Sequence, residues 1–225
     1  MCGRYQLGLE GKNKLFGYRF DVDETQISNL SDNYNITPDS VMPTIVRQSP
    51  NQLVMMKWGL IPNWSKDGKS LVINARSETI AEKPMFKSLL NKRRCLIPTT
   101  GFYEWQKTKT DKIPFFIGLK NKDFFSFAGL YDVWKNHNGE EIKTYVIITC
   151  QPNNMMAPIH NRMPVIFSKD EENIWLNKSI VDVDSLVTLL NPLEDEKLIA
   201  YPISKRINNP ENNDNLLTTS IDTPI

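Results

Sequence analysis

Between Gln52 and Phe167 the chain is a succession of β-forming runs: QLVMMKWGLIP, KSLVINARSET, RCLIPTTGFYEWQ, IPFFIGL, DFFSFAGLYDVW, KTYVIITC and MPVIF. This succession constrains the fold more than any other feature, because β-branched and aromatic side chains suit a pleated, half-buried surface. GLKNKD and KNHNGE stand between neighbouring runs as turn sequences, which predicts antiparallel hairpins. Helical signals are fewer. SETIAEKPMFKSLLNKR opens with a capping-box-like Ser77, with Glu78 and Ile80 behind it, and Pro84 divides it into two pieces. SKDEENIWLNK offers Ser168 as an N-cap with acids in the first turn, and DVDSLVTLLN follows as a second short helix. No repeat or linker divides the 225 residues, a length sufficient for a substantial core. The expectation is an α+β fold. A single domain over residues 1–225 is built on a large, mostly antiparallel, barrel-like β-sheet with a few short helices, and it ends in a loop-rich tail over 207–225, where NNPENNDN reads as exposed.

Composition excludes several classes. No apolar run approaches the ~18 residues of a membrane helix, and no basic start precedes an apolar stretch, so transmembrane and secretory readings fail. A net charge of +1 is not that of a polycation, so a nucleic-acid site must be built from locally gathered Lys and Arg. The three cysteines, Cys2, Cys95 and Cys150, are odd in number, widely spaced and without a CxxC pair. They predict a reducing, cytoplasmic setting with no disulfide framework and no metal site; no cofactor is expected. Cys95 and Cys150 read as small core hydrophobes.

Cys2 stands directly behind the initiator methionine. Removal of Met1 would leave an α-amine of pKa about 7.7–8.0 and a thiol of about 8.5 on adjacent carbons, both close to their nucleophilic forms at neutrality. A chance cysteine on a frayed terminus is the plain alternative. Of the two histidines, His137 sits in NHNG, a hairpin tip, and reads as solvent-facing. His160, in MMAPIHNRMPVIF, enters a strand from a loop, a placement that suits a site or an ordinary satisfied polar residue. Glu104 lies between Tyr103 and Trp105 in GFYEWQ. It is either an outward, solvated side chain or a partly buried carboxyl whose desolvation makes it a general acid near neutrality. Asn74 and Arg76, in VINARSE, lie where a strand gives way to a helix; they serve the helix N-terminus or line a site.

Cys2, Asn74 and His160 are each followed two residues later by an arginine: Arg4, Arg76 and Arg162. Residues two apart in extended backbone share a face. Three of the eight arginines would thus flank candidate reactive groups, and guanidinium forks suit phosphate. For Arg4 and Arg162 the alternative is a carboxylate partner. NYNITPD, IPNWSKDG and KPMFK offer Pro38, Trp64 and Met85 as surfaces for bases to stack on, although such residues also pack on their own domain.

Taken in order, MCGRY, YNITP, WGLIPNW, INARSET, RCLIPTTGFYEW, PFFI, AGLYD and IHNRMPVI resemble the SRAP family, the SOS response-associated peptidases or abasic-site processing proteins. The resemblance runs from Cys2 to about Phe167, with a looser match at YPISK. Thr37 replaces the alanine usual before the proline, Thr99 and Thr100 depart from the common pattern, and the tail beyond Arg206 matches poorly. The resemblance implies a monomer that binds single-stranded DNA containing abasic sites in the DNA damage (SOS) response, cytoplasmic and nucleoid-associated on damaged DNA. It implies a covalent thiazolidine crosslink between the mature N-terminal Cys2 and the ring-opened aldehyde, with autopeptidase, hydrolase and lyase chemistry left open. Cys2 is then the nucleophile, Asn74 and Glu104 sensing and catalytic groups, and His160 an acid or base. Arg4, Arg76 and Arg162 would meet phosphates, Arg4 also lowering the thiol pKa. Pro38, Trp64 and Met85 would wedge against bases, with Trp105 and Thr149 as further DNA contacts.

Three rivals stand beside this reading. A class II glutamine-amidotransferase-like N-terminal cysteine hydrolase also begins MCG, and NGE occurs here at Asn138–Glu140, though in a hairpin turn. An ordinary Cys–His peptidase is the second, and a non-covalent single-stranded DNA-binding module the third.

Overall fold

The computed structural model describes residues 2–48 and 50–221, so Met1, whose removal is expected, lies outside the described residues. The chain enters through β1 (Tyr5–Leu7), passes two short helices, α1 (Asn13–Phe20) and α2 (Glu24–Ile27), and returns as β2 (Asn33–Ile36). Strands β3 (Val41–Val46), β4 (Gln52–Trp58) and β5 (Asn74–Arg76) precede helix α3 (Pro84–Lys92). The longer strands follow: β6 (Arg94–Thr99), β7 (Gly101–Lys107), β8 (Lys112–Leu119), β9 (Phe125–Lys135) and β10 (Glu141–Cys150). Then come β11 (Met163–Pro164), β12 (Ile166–Phe167), α4 (Lys169–Leu176), α5 (Val183–Val187), β13 (Leu198–Pro202) and two 3₁₀ turns, Lys205–Asn208 and Asn215–Thr218.

Strands β3, β4, β10, β9 and β6 pair in a closed ring, with β10 bonded to β4 on one side and to β9 on the other. Closure removes the free edges that an open sheet of this length would expose. β5 and β11 add to β10, and β12 adds to β9. A second, open sheet runs β13-β8-β7-β1-β2 and is antiparallel throughout. Among the named strands only β10 makes parallel pairs, with β4 and β5. The expected α+β fold on a large, mostly antiparallel, barrel-like sheet is therefore the one observed. Helices α3 and α4 lie against β9 and β6. That covering explains why Arg94–Thr99 is buried at every position instead of at alternate ones.

Several local expectations change. RCLIPTTGFYEWQ forms two strands in two sheets, parting at Thr100 between the barrel's β6 and the open sheet's β7. The Thr99 hydroxyl donates to Gln6 O at 2.8 Å beside this break. A Cβ at Gly101 would lie 2.3 Å from the Phe116 ring and 3.0 Å from Ile117 O, so no side chain fits where β7 approaches β8. GLKNKD is not a hairpin, because β8 and β9 belong to different sheets; it carries the chain between them and turns at Lys122, φ 56°. KNHNGE does close the β9–β10 hairpin, with Gly139 at φ 82°. Ser77 makes no side-chain cap; it begins a one-turn 3₁₀ helix, Ser77–Thr79, and Pro84 opens α3. The Ser168 capping box with Glu171 forms as expected, and Asp182 caps α5. The Asn-rich tail is largely exposed, yet Ile207 and Leu217 are fully buried and anchor it.

Tyr5 sets the position of the N-terminal arm. Its ring meets Trp58 edge-on at 5.2 Å and Phe127 at 5.8 Å, and its hydroxyl hydrogen-bonds that of Tyr145 at 2.7 Å. Each such aromatic contact contributes about 0.5–1.5 kcal/mol beyond the area it buries. With Tyr5 fixed in the barrel, the preceding residues are held at the seam between the two sheets.

Candidate active site

Cys2 is completely buried at this seam. From the barrel side, Asn74 at the start of β5 donates its Nδ2–H to Cys2 O at 2.9 Å. From the open sheet, Glu104 on β7 sets its charge against the thiol, while the backbone N–H of Arg4 donates to the sulfur. Asn74 Oδ1 is buried and, among the described residues, accepts no hydrogen bond. It is an acceptor held ready beside Cys2. The arrangement as a whole does not activate the thiol in the resting protein: burial above all, then Glu104, outweighs the Arg4 N–H and pushes it well above its ordinary value. The expected lowering by Arg4 comes only from its backbone N–H and does not offset burial; its guanidinium contributes none. The Arg4 guanidinium is turned away, with Nη1 donating to Asn35 Oδ1 at 2.5 Å and to Ile207 O at 2.7 Å, and the group lying 5.9 Å from the Trp105 ring centre.

Glu104 is 3% exposed, and its burial pushes the carboxyl up to about 7. His160 Nε2 lies 3.9 Å from Glu104 Oε2. That separation is an ion-pair distance only if both groups are charged, and burial opposes both charges, since it also holds His160 below its ordinary value. Near neutrality the imidazole is therefore uncharged while the carboxyl is about half protonated, so the contact is not a fixed salt bridge. His160 Nδ1 lies 3.1 Å from both the N–H and the carbonyl O of Arg162, accepting from the first when the ring proton is on Nε2 and donating to the second when it is on Nδ1. Of the two alternatives for Glu104, the buried one is realised.

Two cavities adjoin the residues that act on Cys2, one at Glu104 and one at Asn74; they share no lining residue, and buried Cys2 itself lines neither. A wide cleft of about 850 Å³ has Glu104, Trp105 and His160 at one end. A smaller cavity of about 260 Å³ is lined by Asn74, Arg76, Met85, Thr149 and Arg162 among others. Pro38, half-buried after β2, and Trp64, 67% exposed, line neither. NGE lies on the exposed β9–β10 turn and lines neither cavity.

A family model for the SOS response associated peptidases (SRAP) matches residues 1–210. The chain belongs to the SRAP family. It is 42% identical to the abasic site processing protein YoqW of Bacillus subtilis, over 95% of this chain and 96% of that one. It is 31% identical to the abasic site processing protein HMCES of Xenopus tropicalis, over 95% of this chain and 76% of that protein. A crystal structure of a protein from Bacteroides thetaiotaomicron superposes with a TM-score of 0.86 at 31% identity, covering 97% of this chain and 99% of the other.

In this SRAP chain the three arginines two residues beyond Cys2, Asn74 and His160 have different surroundings. Arg76 is exposed on the smaller cavity. Arg162 takes the carboxylate alternative: its fork grips Glu78 at 2.5 and 2.9 Å, and Nη2 also donates to Thr149 O at 2.6 Å. Arg4 is bound by the neutral acceptors described above. Sequence reasoning missed Glu78 and Asn35. Glu78 sits two residues beyond Arg76, on the spacing already used for the arginines, and could have been found that way. Asn35, whose Nδ2 donates to Ile207 O, Asn209 O and Asn212 O, fastens the tail behind Arg4. No signal within YNITP marks such a distant partner.

Proposed function

We propose that the protein captures abasic sites in single-stranded DNA through a covalent thiazolidine at Cys2, once Met1 has been removed. The observation that carries the reading is the meeting of three groups: a buried thiol, a carboxyl with its pKa near 7 acting on it, and an imidazole 3.9 Å from that carboxyl. Family membership and the names of the relatives support the substrate class.

The abasic sugar exchanges between a closed hemiacetal and an open aldehyde. In the tautomer with its proton on Nε2, His160 gives that proton to the departing ring oxygen and takes up the one that the C1 hydroxyl releases, so that opening to the aldehyde leaves the imidazole neutral. The Cys2 amine adds to the aldehyde carbon to give a carbinolamine. Protonated Glu104 gives its proton to the carbinolamine hydroxyl, water leaves, and an iminium remains with Glu104 as carboxylate. The thiol then adds to the iminium carbon while its proton passes to Glu104, closing a five-membered ring and restoring the acid. This sequence needs no preformed thiolate, in keeping with the burial of Cys2. Having amine and thiol on one residue makes the second bond intramolecular, an advantage that in well-oriented systems reaches ~7–11 kcal/mol. Asn74, holding the Cys2 carbonyl, fixes the attacking geometry and keeps Oδ1 for the amine or a sugar hydroxyl.

Intact-mass measurement with an abasic single-stranded oligonucleotide tests the scheme. The expected species has lost Met1 and gained the oligonucleotide less one water, and Cys2→Ser gives only a transient adduct. A Cys2→Ser protein that crosslinks as durably as the parent, or a Met1-bearing protein that captures at full efficiency, refutes it.

A further inference from the structure

Glu104 and His160 meet from parts of the fold that share no strand pairing: Glu104 from β7 of the open sheet, His160 from the segment between β10 and β11 of the barrel. No β-ladder sets their 3.9 Å separation. Beside it a second contact crosses the same gap, where Gln106 donates its Nε2–H to Pro158 O at 3.1 Å. Resting on the proposed roles of Glu104 and His160 in capture, we propose that Gln106 is a positioning residue: its bond to Pro158 O fixes how far His160 stands from Glu104.

The register of the two contacts carries the assignment. Gln106 lies two residues beyond Glu104 on an extended strand, so both side chains leave the same face of β7. Pro158 lies two residues before His160. One step along each segment leads from Glu104–His160 to Gln106–Pro158, the relation of neighbouring rungs in an antiparallel pair, made here through side chains. The segment is firm behind these rungs. Asn153 Oδ1 accepts from Met156 N–H at 2.9 Å, and its Nδ2–H donates to Leu193 O at 2.8 Å. Asp195 accepts from Met155 N–H at 3.1 Å and from Asn154 Nδ2–H at 3.0 Å. His160 N–H donates back to Met156 O at 2.9 Å, and Met156 is fully buried. The segment is pinned at its start, and Gln106 holds it where it reaches toward Glu104.

Gln106 is half-buried and lines neither cavity, so it acts on the site through His160 and not on a bound strand. A single neutral hydrogen bond favours the held arrangement over a loosened one by roughly two- to tenfold. Loosening would also change what surrounds the imidazole. Burial, with the facing cations Lys107 and Arg162 adding to it, holds His160 below its ordinary value. An imidazole that swings out of cover moves back up.

Gln106→Met keeps the length and neutrality of the side chain and removes the donor. It leaves in place Lys107, Lys112 and Lys205, which line the cleft with Asn208. Binding of an undamaged single-stranded oligonucleotide, read by fluorescence anisotropy, should therefore equal the parent's. The maximal single-turnover rate of adduct formation at saturating abasic strand should fall roughly two- to tenfold, with half-saturation unchanged. NMR titration of the two imidazoles should show His160 moved up toward its ordinary value, while His137, on the exposed β9–β10 turn, stays as in the parent. Gln48→Met removes another exposed amide bond, the one to Gln52 at 2.9 Å between β3 and β4, and should change neither readout. Melting curves check that both variants fold. An unchanged His160 titration, an unchanged maximal rate, or a loss confined to strand affinity in Gln106→Met would overturn the assignment, as would equal shifts in Gln48→Met. An adduct-forming parent whose Gln106→Met variant matches it fails this inference alone; a shifted His160 in a protein that forms no adduct fails the capture chemistry alone.

Discussion

The two sides of Cys2 follow opposite electrostatic plans. On the smaller-cavity side, Arg162 is 7% exposed and locked by a two-pronged fork onto Glu78, whose carboxyl that contact holds below its usual value. On the cleft side, burial pushes Glu104 up to about 7 and His160 down, so the carboxyl exchanges its proton near neutrality beside an uncharged imidazole. A carboxylate held charged by an arginine fixes geometry but does not exchange a proton near pH 7. A carboxyl whose pKa lies near 7 does. Environments that drive two carboxyls apart in this way separate their roles.

The sharpest way to break the comparison is to neutralise each carboxyl in turn. Glu104→Gln is expected to slow adduct formation by roughly 10²–10⁴-fold, the usual range for a lost acid–base group. Glu78→Gln should cost less than about tenfold, through geometry alone. Gel time courses with an abasic strand measure both, and equal losses would erase the distinction. The pH profile should agree. In the proposed scheme Glu104 is the acid, so the dehydration rate should fall as pH rises through about 7, and that limb should vanish in Glu104→Gln.

Stability should separate the same pair with opposite slopes. The folded pKa of Glu104 is raised, so the folded state holds its proton longer than the unfolded chain does, and stability falls as pH climbs from about 4.5 to about 7. Glu104→Gln removes that penalty and should raise the melting temperature at pH 8, by at most the equivalent of about 3 kcal/mol, while changing little at pH 4. Glu78 is the reverse case. Its folded pKa is depressed, so its contribution is present above the unfolded value and is lost as pH falls through the folded one. With its side chain 39% exposed, Glu78→Gln should cost only about 1 kcal/mol at neutral pH. Melting curves at pH 4 and pH 8 report both signs.

What the sequence discloses follows the range of the interaction. The strand runs and the Ser168 cap depend on neighbours a few residues away and were legible. Whether consecutive strands share a sheet depends on partners far along the chain. For that reason RCLIPTTGFYEWQ looked continuous and GLKNKD looked like a hairpin, although each is a crossing between sheets. At the site, Cys2, Asn74, Glu104 and His160 were marked by unusual residue types in apolar or strand-end settings, and the fold brings them to one seam. Burial, not spacing, decided between the alternatives for Glu104. The surroundings of the arginines were harder to foresee, because an isolated RxE or NRM pattern does not say which acceptor lies across the fold. The tail was hardest of all. Its role behind Arg4 depends on Asn35, more than 170 residues away from the carbonyls it binds.

The smallest expected effect tests whether that tail belongs to the cleft side functionally or only covers it. Trp105 Nε1–H can only donate, and Asn208 Oδ1 is the acceptor. Asn208→Ala removes one neutral hydrogen bond at the surface, worth up to about 1 kcal/mol, which corresponds to a fall of about 2–4 °C or less in melting temperature for a chain of this size. Asn208→Asp keeps an oxygen acceptor in the same place and should restore the indole contact, seen as recovery of the tryptophan fluorescence and the melting temperature. It also adds a negative charge beside Lys107, Lys112 and Lys205. If the tail only covers the fold, the aspartate variant binds single strands as the parent does. If the turn faces a strand bound in the cleft, the aspartate variant is as stable as the parent yet binds more weakly, most visibly at low salt, and the alanine variant shows the converse: a small loss of stability with nearly unchanged salt dependence.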